Sequence, residues 1–305
     1  LVFSAKVNAG ENIAAADFDI AASDISVSGI TDLSGNAADL SSLTVPVELD
    51  VAVDTSAPKP VALTPFSVNE YPTGQVAFKA DDEIDITLTL DEDLVIDATA
   101  TNTITIAGKT FTLDVDKSTD AGADALVFSA QVLAGENIIA EDFDIDATSD
   151  IKLPGITDQS GNAPDLSGLI TAVELDVAVD TSAPKPVALT PFSVSPLPGS
   201  QVAFKADDEI DITLTLDEVL VLTATAVNSI ITIAGKTFTL DADKSTGAGS
   251  DKLVFSYTVM ANDNITAADF DIDNASAISL TGITDESGNA PDLSGLITAV
   301  ELDVA

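Results

Sequence analysis

Residues 75–92 read QVAFKADDEIDITLTLDE, and the same run returns unchanged at 201–218. Within it Ile84, Ile86, Leu88 and Leu90 alternate with Asp85, Thr87, Thr89 and Asp91. A period of two puts the apolar set on one face and the polar set on the other, the pattern of a half-buried β-strand. The alternation continues at Ile104 and Ile106, then at Phe111, Leu113 and Val115, around an Ala107-Gly108-Lys109 turn that suits a tight hairpin. Leu126, Phe128, Ala130 and Val132 form a further strand, and Val173, Leu175, Val177 and Val179 face inward in the last one, with Glu174 and Asp176 outward. Helical periodicity is absent, apart from a short turn expected within ENIIAEDF at 136–143. With Val61–Leu63 opening the unit and Ile151–Leu153 as a weak sixth element, about seven strands result, the number of an immunoglobulin-like sandwich.

The unit recurs. DTSAPKPVALTPFSV begins at Asp54 and at Asp180, 126 residues apart. LVFSAKV at Leu1, LVFSAQV at Leu126 and LVFSYTV at Leu253 add a third, partial copy, and TDLSGNAADLS at Thr31, TDQSGNAPDLS at Thr157 and TDESGNAPDLS at Thr284 stand before each closing strand. Repetition at a domain-sized period implies an array of similar units. The expected fold is therefore all-β: tandem immunoglobulin-like antiparallel β-sandwich repeats. Residues 1–53 are the back part of one repeat, and 54–180 and 181–305 are two complete ones.

Composition narrows the function. Hydrophobic residues make up 46% of the 305 and mean hydropathy is +0.32, so the chain folds rather than forming a disordered acidic tail. Fifty-one Asp and Glu against eleven Lys and Arg give a formal charge of −40, a field that repels nucleic acid and anionic lipid and gathers cations. Without His or Cys, the usual triads, the commonest general base and most zinc sites are out of reach. Paired carboxylates could serve a glycosidase, but near-identical stacked sandwiches give no reason for a cleft, so no enzyme is expected. Trp is absent and Tyr occurs twice, which removes the usual sugar-stacking platform. No apolar run reaches 18 residues and residues 1–30 lack a signal-peptide layout, so no membrane insertion is expected and an export signal is expected outside this sequence.

The order of a VDTSAP linker, a DDEIDITLTLDE strand, an LVFSYTV strand and a TDESGNAPDLS loop resembles the bacterial Ig-like tandem repeats of giant, RTX-type surface adhesins, over the whole chain. The resemblance implies a secreted protein of the bacterial cell surface, forming part of an extracellular stalk in which calcium ions stiffen the repeats and their junctions. Its partners would be calcium, neighbouring repeats or copies of itself, and a host or biofilm ligand held by domains outside this segment. The glycine-rich GGxGxDxUx nonapeptide of RTX proteins is missing, so a calcium role has to rest on the sandwiches themselves.

Calcium takes six to eight hard oxygen ligands, so the carboxylates that topology brings together matter more than their number. If seven strands alternate up and down, the loop after the second strand (Asp91, Glu92, Asp93) and the loop before the last (Asp158, Asn162, Asp165) share the pole where the chain comes in. Asp81, Asp82 and Glu83 share the far pole with Asp142, Asp144 and Asp146. The linker residues Asp176 and Asp180, matched by Asp50 and Asp54 one repeat earlier, lead from a far pole to the leading pole of the next repeat, which offers Asp217, Glu218, Asp285, Asn289 and Asp292. Asp207 and Asp208 repeat Asp81 and Asp82. Each feature also has a plain structural reading: TDxSGN as an Asx turn, and the DDE run as a solvated strand start that discourages edge pairing.

Two other functions stay open alongside the stalk. The exposed sandwich faces could build a self-assembling filament or sheath, or they could bind a glycan or protein. The acidity could equally be a bare salt-adapted surface. Residues 1–53 lack the opening strands of their repeat, so either the segment is cut from a longer chain or a neighbouring copy supplies those strands. An isolated peptide of residues 1–53 is expected to exchange its amide hydrogens at random-coil rates; a monomeric peptide with slow amides would refute this.

Overall fold

A computed structural model describes residues 2–145, 150–169, 173–188, 190–272, 277–296 and 300–302. Strands dominate. In 1–53 there are β1 (Asp19–Ile20) and β2 (Val47–Glu48), paired antiparallel. In 54–180 the strands are β3 (Phe66–Val68), β4 (Glu83–Thr89), β5 (Leu94–Ile96), β6 (Thr103–Ile106), β7 (Lys109–Asp114), β8 (Ala125–Gln131), β9 (Asp144–Ile145), β10 (Ile151–Lys152), β11 (Ile156–Asp158) and β12 (Val173–Glu174). In 181–305 they are β13 (Phe192–Val194), β14 (Glu209–Thr215), β15 (Leu220–Leu222), β16 (Ile230–Ile233), β17 (Lys236–Leu240), β18 (Lys252–Thr258), β19 (Asp271–Ile272), β20 (Ile278–Ser279), β21 (Ile283–Asp285) and β22 (Val300–Glu301).

Each complete repeat forms a six-stranded sheet, in the order β10-β6-β7-β8-β4-β3 and its equivalent β20-β16-β17-β18-β14-β13. Two-stranded ladders accompany each: β11-β5 and β12-β9, then β15-β21 and β19-β22. The chain is thus all-β and sandwich-like. Alternation in β14 buries Ile210, Ile212 and Leu214, and these pack with Phe238, Phe255, Phe270 and Ile283 in the core of 181–305. No helix among the described residues is long and apolar enough to cross a membrane.

The hairpin β6-β7 pairs Ile106 with Lys109, leaving Ala107 (φ +47°) and Gly108 (φ +79°) as a two-residue turn. Positive φ at both central residues matches the strand twist, and Ala234-Gly235 repeats it.

Two expectations fail locally. No strand forms at Val61–Leu63, where Pro60 and Pro65 on either side cannot donate to a ladder, and the first strand of the unit is β3 at Phe66–Val68. Val115 does not continue β7; it opens the helix α1 (Val115–Ala121), and α2 (Ala242–Ala248) is its counterpart. Asp114 caps α1 by accepting the Lys117 N–H at 3.0 Å, which satisfies a donor the first turn leaves unpaired. The buried Ser118 then donates to the Asp114 carbonyl (2.6 Å) and accepts the Val127 N–H (2.8 Å), tying the helix to β8. The short turn expected in 136–143 is a 3-10 turn at Ala140–Asp142.

By contacts the chain divides into two compact units: residues 1–67, 86–129 and 145–173, and residues 68–85, 130–144 and 174–305. The division runs through the repeat 54–180, so its far pole and all of 181–305 belong to one unit. Within that unit the Val76 N–H donates to the Glu286 carbonyl (3.2 Å), which packs the far pole on the loop that follows β21.

Ser118→Ala should leave the Val127 N–H buried without an acceptor and cost about 1–3 kcal/mol, measured by denaturant unfolding. A variant as stable as the parent would show that this link does not hold the helix.

Candidate metal centre

Two clusters of three carboxylates stand out, Asp54 with Glu92 and Asp158, and Asp180 with Glu218 and Asp285. In each, carboxylate oxygens lie within 4.8 Å of one another. Each draws one residue from the linker, one from the loop after the long strand and one from the end of the strand that carries TDxSGN.

The loop builds the buried member. Asp158 Oδ1 accepts the N–H groups of Ser160 and Asn162 (both 2.8 Å) and Oδ2 accepts Asn162 Nδ2 (2.7 Å). Asp285 is held the same way by Asn289, through N (2.8 Å) and Nδ2 (2.9 Å). Gly161 (φ +90°) and Gly288 (φ +89°) supply the left-handed residue this turn requires. The same turn forms in 1–53, where Asp32 accepts from Ser34 and Asn36, so it does not need the other two carboxylates. Asp158 (3% exposed) and Asp285 (4%) are buried in it.

The linker is bound to the same loop. Asn289 Nδ2 also donates to the Asp180 carbonyl (3.0 Å), and Ser287 Oγ donates to Asp180 Oδ2 (3.0 Å). Asn162 Nδ2 reaches the Asp54 carbonyl (3.3 Å) and Ser160 Oγ reaches Asp54 Oδ2 (3.1 Å). Asn162 and Asn289 therefore turn amide hydrogens toward the cluster and clamp its carboxylates.

Electrostatics separates the members. Burial tends to raise Asp158, but the hydrogen bonds from the Asn162 side chain and the loop N–H groups outweigh it, and its pKa is lowered. Glu92 is raised, by burial first and then by repulsion from Asp54, Asp91 and Asp158. Glu218 is pushed up to about 7, by burial and then by Asp180, Asp285 and Asp217. A carboxyl near 7 marks a concentration of negative charge that a proton or a metal ion relieves.

The other residues singled out in the sequence lie elsewhere. Asp91 and Asp217 accept the backbone N–H of Lys59 and Lys185 (2.6 Å each) and strap the linker down beside Glu92 and Glu218. Asp165 and Asp292 accept from Ser167 and Ser294 in turns of their own. Asp82 and Asp208 accept from Lys79 and Lys205, closing the turn into the long strand, with Asp81 and Asp207 at positive φ. Asp50 and Asp176 are exposed at positive φ ahead of the linker, and Asp93 and Asp142 are exposed. Asp144 accepts the Leu175 N–H at 3.4 Å. None of these falls within either cluster, and Asp146 lies outside the described residues. The sequence placed Glu92 and Glu218 at the right pole, but it weighted the neighbouring aspartates above them.

No protein-family model matches the chain, and no curated protein matches it. Among solved structures it is similar to FdeC, described as a broadly conserved Escherichia coli adhesin eliciting protection against urinary tract infections. Identity is 12% and the TM-score 0.29, over 80% of this chain and 66% of that one. The chain thus spans just under two thirds of that structure, and a likeness this slight bears on neither fold nor function.

Because Glu218 sits above its ordinary 4.5, the fold favours its neutral form. That stability is full below about 4.5 and is lost as pH rises through about 7. In chelator, Glu218→Gln should therefore raise the melting temperature over the parent at pH 8, and the gain should vanish below pH 4.5. Parallel melting curves across that range would show that Glu218 is not held neutral.

Proposed function

We propose that this chain is a non-catalytic spacer of tandem repeats, a stalk segment of a secreted bacterial surface protein, in which calcium clamps each linker to the repeat that follows. The observation that carries this reading is the cluster of Asp180, Glu218 and Asp285, together with its copy at Asp54, Glu92 and Asp158. A solvated acidic face has no reason to bring carboxylates from three separate segments together twice, at the same place in the repeat.

The donor chemistry suits the ion. With Asp158 Oδ1 taken up by two N–H groups, the three carboxylates offer up to five hard oxygens, and water completes the six to eight that calcium takes, whereas magnesium requires a tighter octahedral shell and sheds water reluctantly. Two charges about 4 Å apart repel by roughly 4 kcal/mol at an effective dielectric near 20, so a cation removes a strain that the fold otherwise carries. A raised carboxyl such as Glu218 would also suit a general acid. The metal reading is preferred because the linker itself supplies one member of each cluster, which makes the arrangement a fastener between repeats. The secreted, surface-borne setting rests on the resemblance of the repeat motifs.

Extracellular calcium modules bind at about 10⁻⁴ to 10⁻³ M, and calcium at one hundred times its dissociation constant stabilises the bound form by about 2.7 kcal/mol. Calcium should raise the melting temperature well above that in chelator, and equal magnesium should do so far less. Equilibrium dialysis should give two calcium ions per chain, falling to one in Asp180→Asn/Asp285→Ala and in the milder Glu218→Gln, and unchanged in the exposed Asp243→Asn. Identical melting in calcium and chelator would leave the clusters as bare surface acidity.

A further inference from the structure

The pair Asn-Ile occurs at 12–13, 137–138 and 264–265, at the same place in each repeat. At the first two the linker docks upon it. Ile138 and Val179 exchange both backbone hydrogen bonds (2.8 Å each), Asn137 Oδ1 accepts the Thr181 N–H (2.7 Å) and Asn137 Nδ2 donates to Ser182 Oγ (3.0 Å). Ile13 and Val53 do the same (2.8 and 2.9 Å), with Asn12 holding Thr55 (2.7 Å) and Ser56 (2.7 Å). On its other edge the second linker pairs with Phe78, whose N–H donates to Ala178 (3.0 Å) and whose carbonyl accepts from Asp180 (2.8 Å). Val179 is thereby a strand laid between Phe78 and Ile138, and it is 2% exposed.

In 181–305 the corresponding edges are Phe204 and Ile265. Between them runs a cavity of about 150 Å³ lined by Phe204, Ile210, Tyr257, Val259, Ile265 and Phe270. Phe78 is fully buried, whereas its counterpart Phe204 is only partly so. Asn264 is exposed beside the cavity, in the place from which Asn12 and Asn137 read their linkers. Ala305 aligns with Ala178.

We infer that the groove between Phe204 and Ile265 is a docking slot for one more linker strand of sequence Val-Asp-Thr-Ser, the segment seated at 53–56 and 179–182. The two seated copies on this same chain set its requirements. A valine fills the apolar floor, main-chain groups pair with Phe204 and Ile265, and a Thr-Ser pair meets the Asn264 amide. An extended strand satisfies both edges at once, as in strand addition to a sheet. The calcium reading is not needed for this step, and the test is made in chelator so that the two stand or fall separately.

The chain is lengthened past Ala305 by Val-Asp-Thr-Ser-Ala-Pro and compared with the unlengthened chain by amide hydrogen exchange and thermal melting. Exchange at Ile265 should slow at least tenfold, toward the rate of Ile138, and the melting temperature should rise. Asn264→Ala should weaken both effects, and a lengthened chain with aspartate for the added valine should show neither. The assignment fails if Ile265 exchanges equally fast with and without the added segment, or if the aspartate version protects it as well. It also fails if the unlengthened chain already protects Ile265 in a concentration-dependent way, because a second copy would then hold the groove.

Discussion

Two adjacent linker residues face two different tasks, and much of the architecture depends on their being adjacent. Val179 completes the apolar far pole of one repeat by pairing with Phe78 and Ile138, while Asp180 joins Glu218 and Asp285 at the leading pole of the next. Successive residues of an extended strand point to opposite sides, so one short segment can fill a groove behind and supply a carboxylate ahead. Whatever holds Val179 also positions Asp180. A cation bound ahead would therefore oppose release of the strand behind, which couples the folding of one repeat to its neighbour without a large shared core.

The price of that coupling is electrostatic. Asp285 is 4% exposed, and a buried carboxylate persists in charged form only where hydrogen bonds replace its water. Its loop does this with the Asn289 backbone and side-chain N–H groups, and the donors that hold Asp158 lower its pKa. Glu218 lacks that set of donors and lies against the same charges, so it carries the strain and is pushed to about 7. The loop thus separates an aspartate whose oxygens are held by Asn289 from a glutamate whose pKa is raised by burial and by its charged neighbours. In a protein of formal charge −40, nearby groups that could relieve it by their own positive charge are few.

The fold was legible where burial obeyed a period. The long strands at 83–89 and 209–215, the Ala107-Gly108 hairpin and the convergence of Asp54, Asp158, Asp180 and Asp285 at the leading poles all follow from alternation and strand direction. The helix at 115–121 was not, because Val115 lies in phase with Phe111 and Leu113, and only the capping bond from Lys117 to Asp114 shows that the chain has turned. The choice of Glu92 over Asp91 was equally hidden. The two are neighbours of like charge, and what separates them is a backbone hydrogen bond between Lys59 and Asp91, remote in sequence, that takes up the aspartate. For Asn162 and Asn289, composition cannot say whether the amide oxygen or nitrogen faces the cluster; the linker carbonyls of Asp54 and Asp180, which need donors, settle it.

Differences between the repeats follow the same logic. The loop NEYPTG at 69–74 becomes SPLPGS at 195–200, which exchanges Tyr71 for Leu197. In the earlier repeat the Tyr71 hydroxyl accepts the Ala178 N–H at 2.8 Å, with its ring 5.0 Å from Phe78, so it braces the linker directly. In the later one Tyr257 stands where the earlier has Ala130, packs 5.2 Å from Phe238 and donates its hydroxyl to Asp263 at 2.6 Å, while Lys236 pairs with the same carboxylate. The aromatic ring has moved from the loop over the groove to the strand forming its wall. Loop divergence that looks free in sequence is in this way paired with a change in the strand, and the groove keeps an aromatic side in both repeats. A wall built from a strand stays in place without a linker to hold it, whereas a loop tyrosine that bonds Ala178 depends on the linker being there.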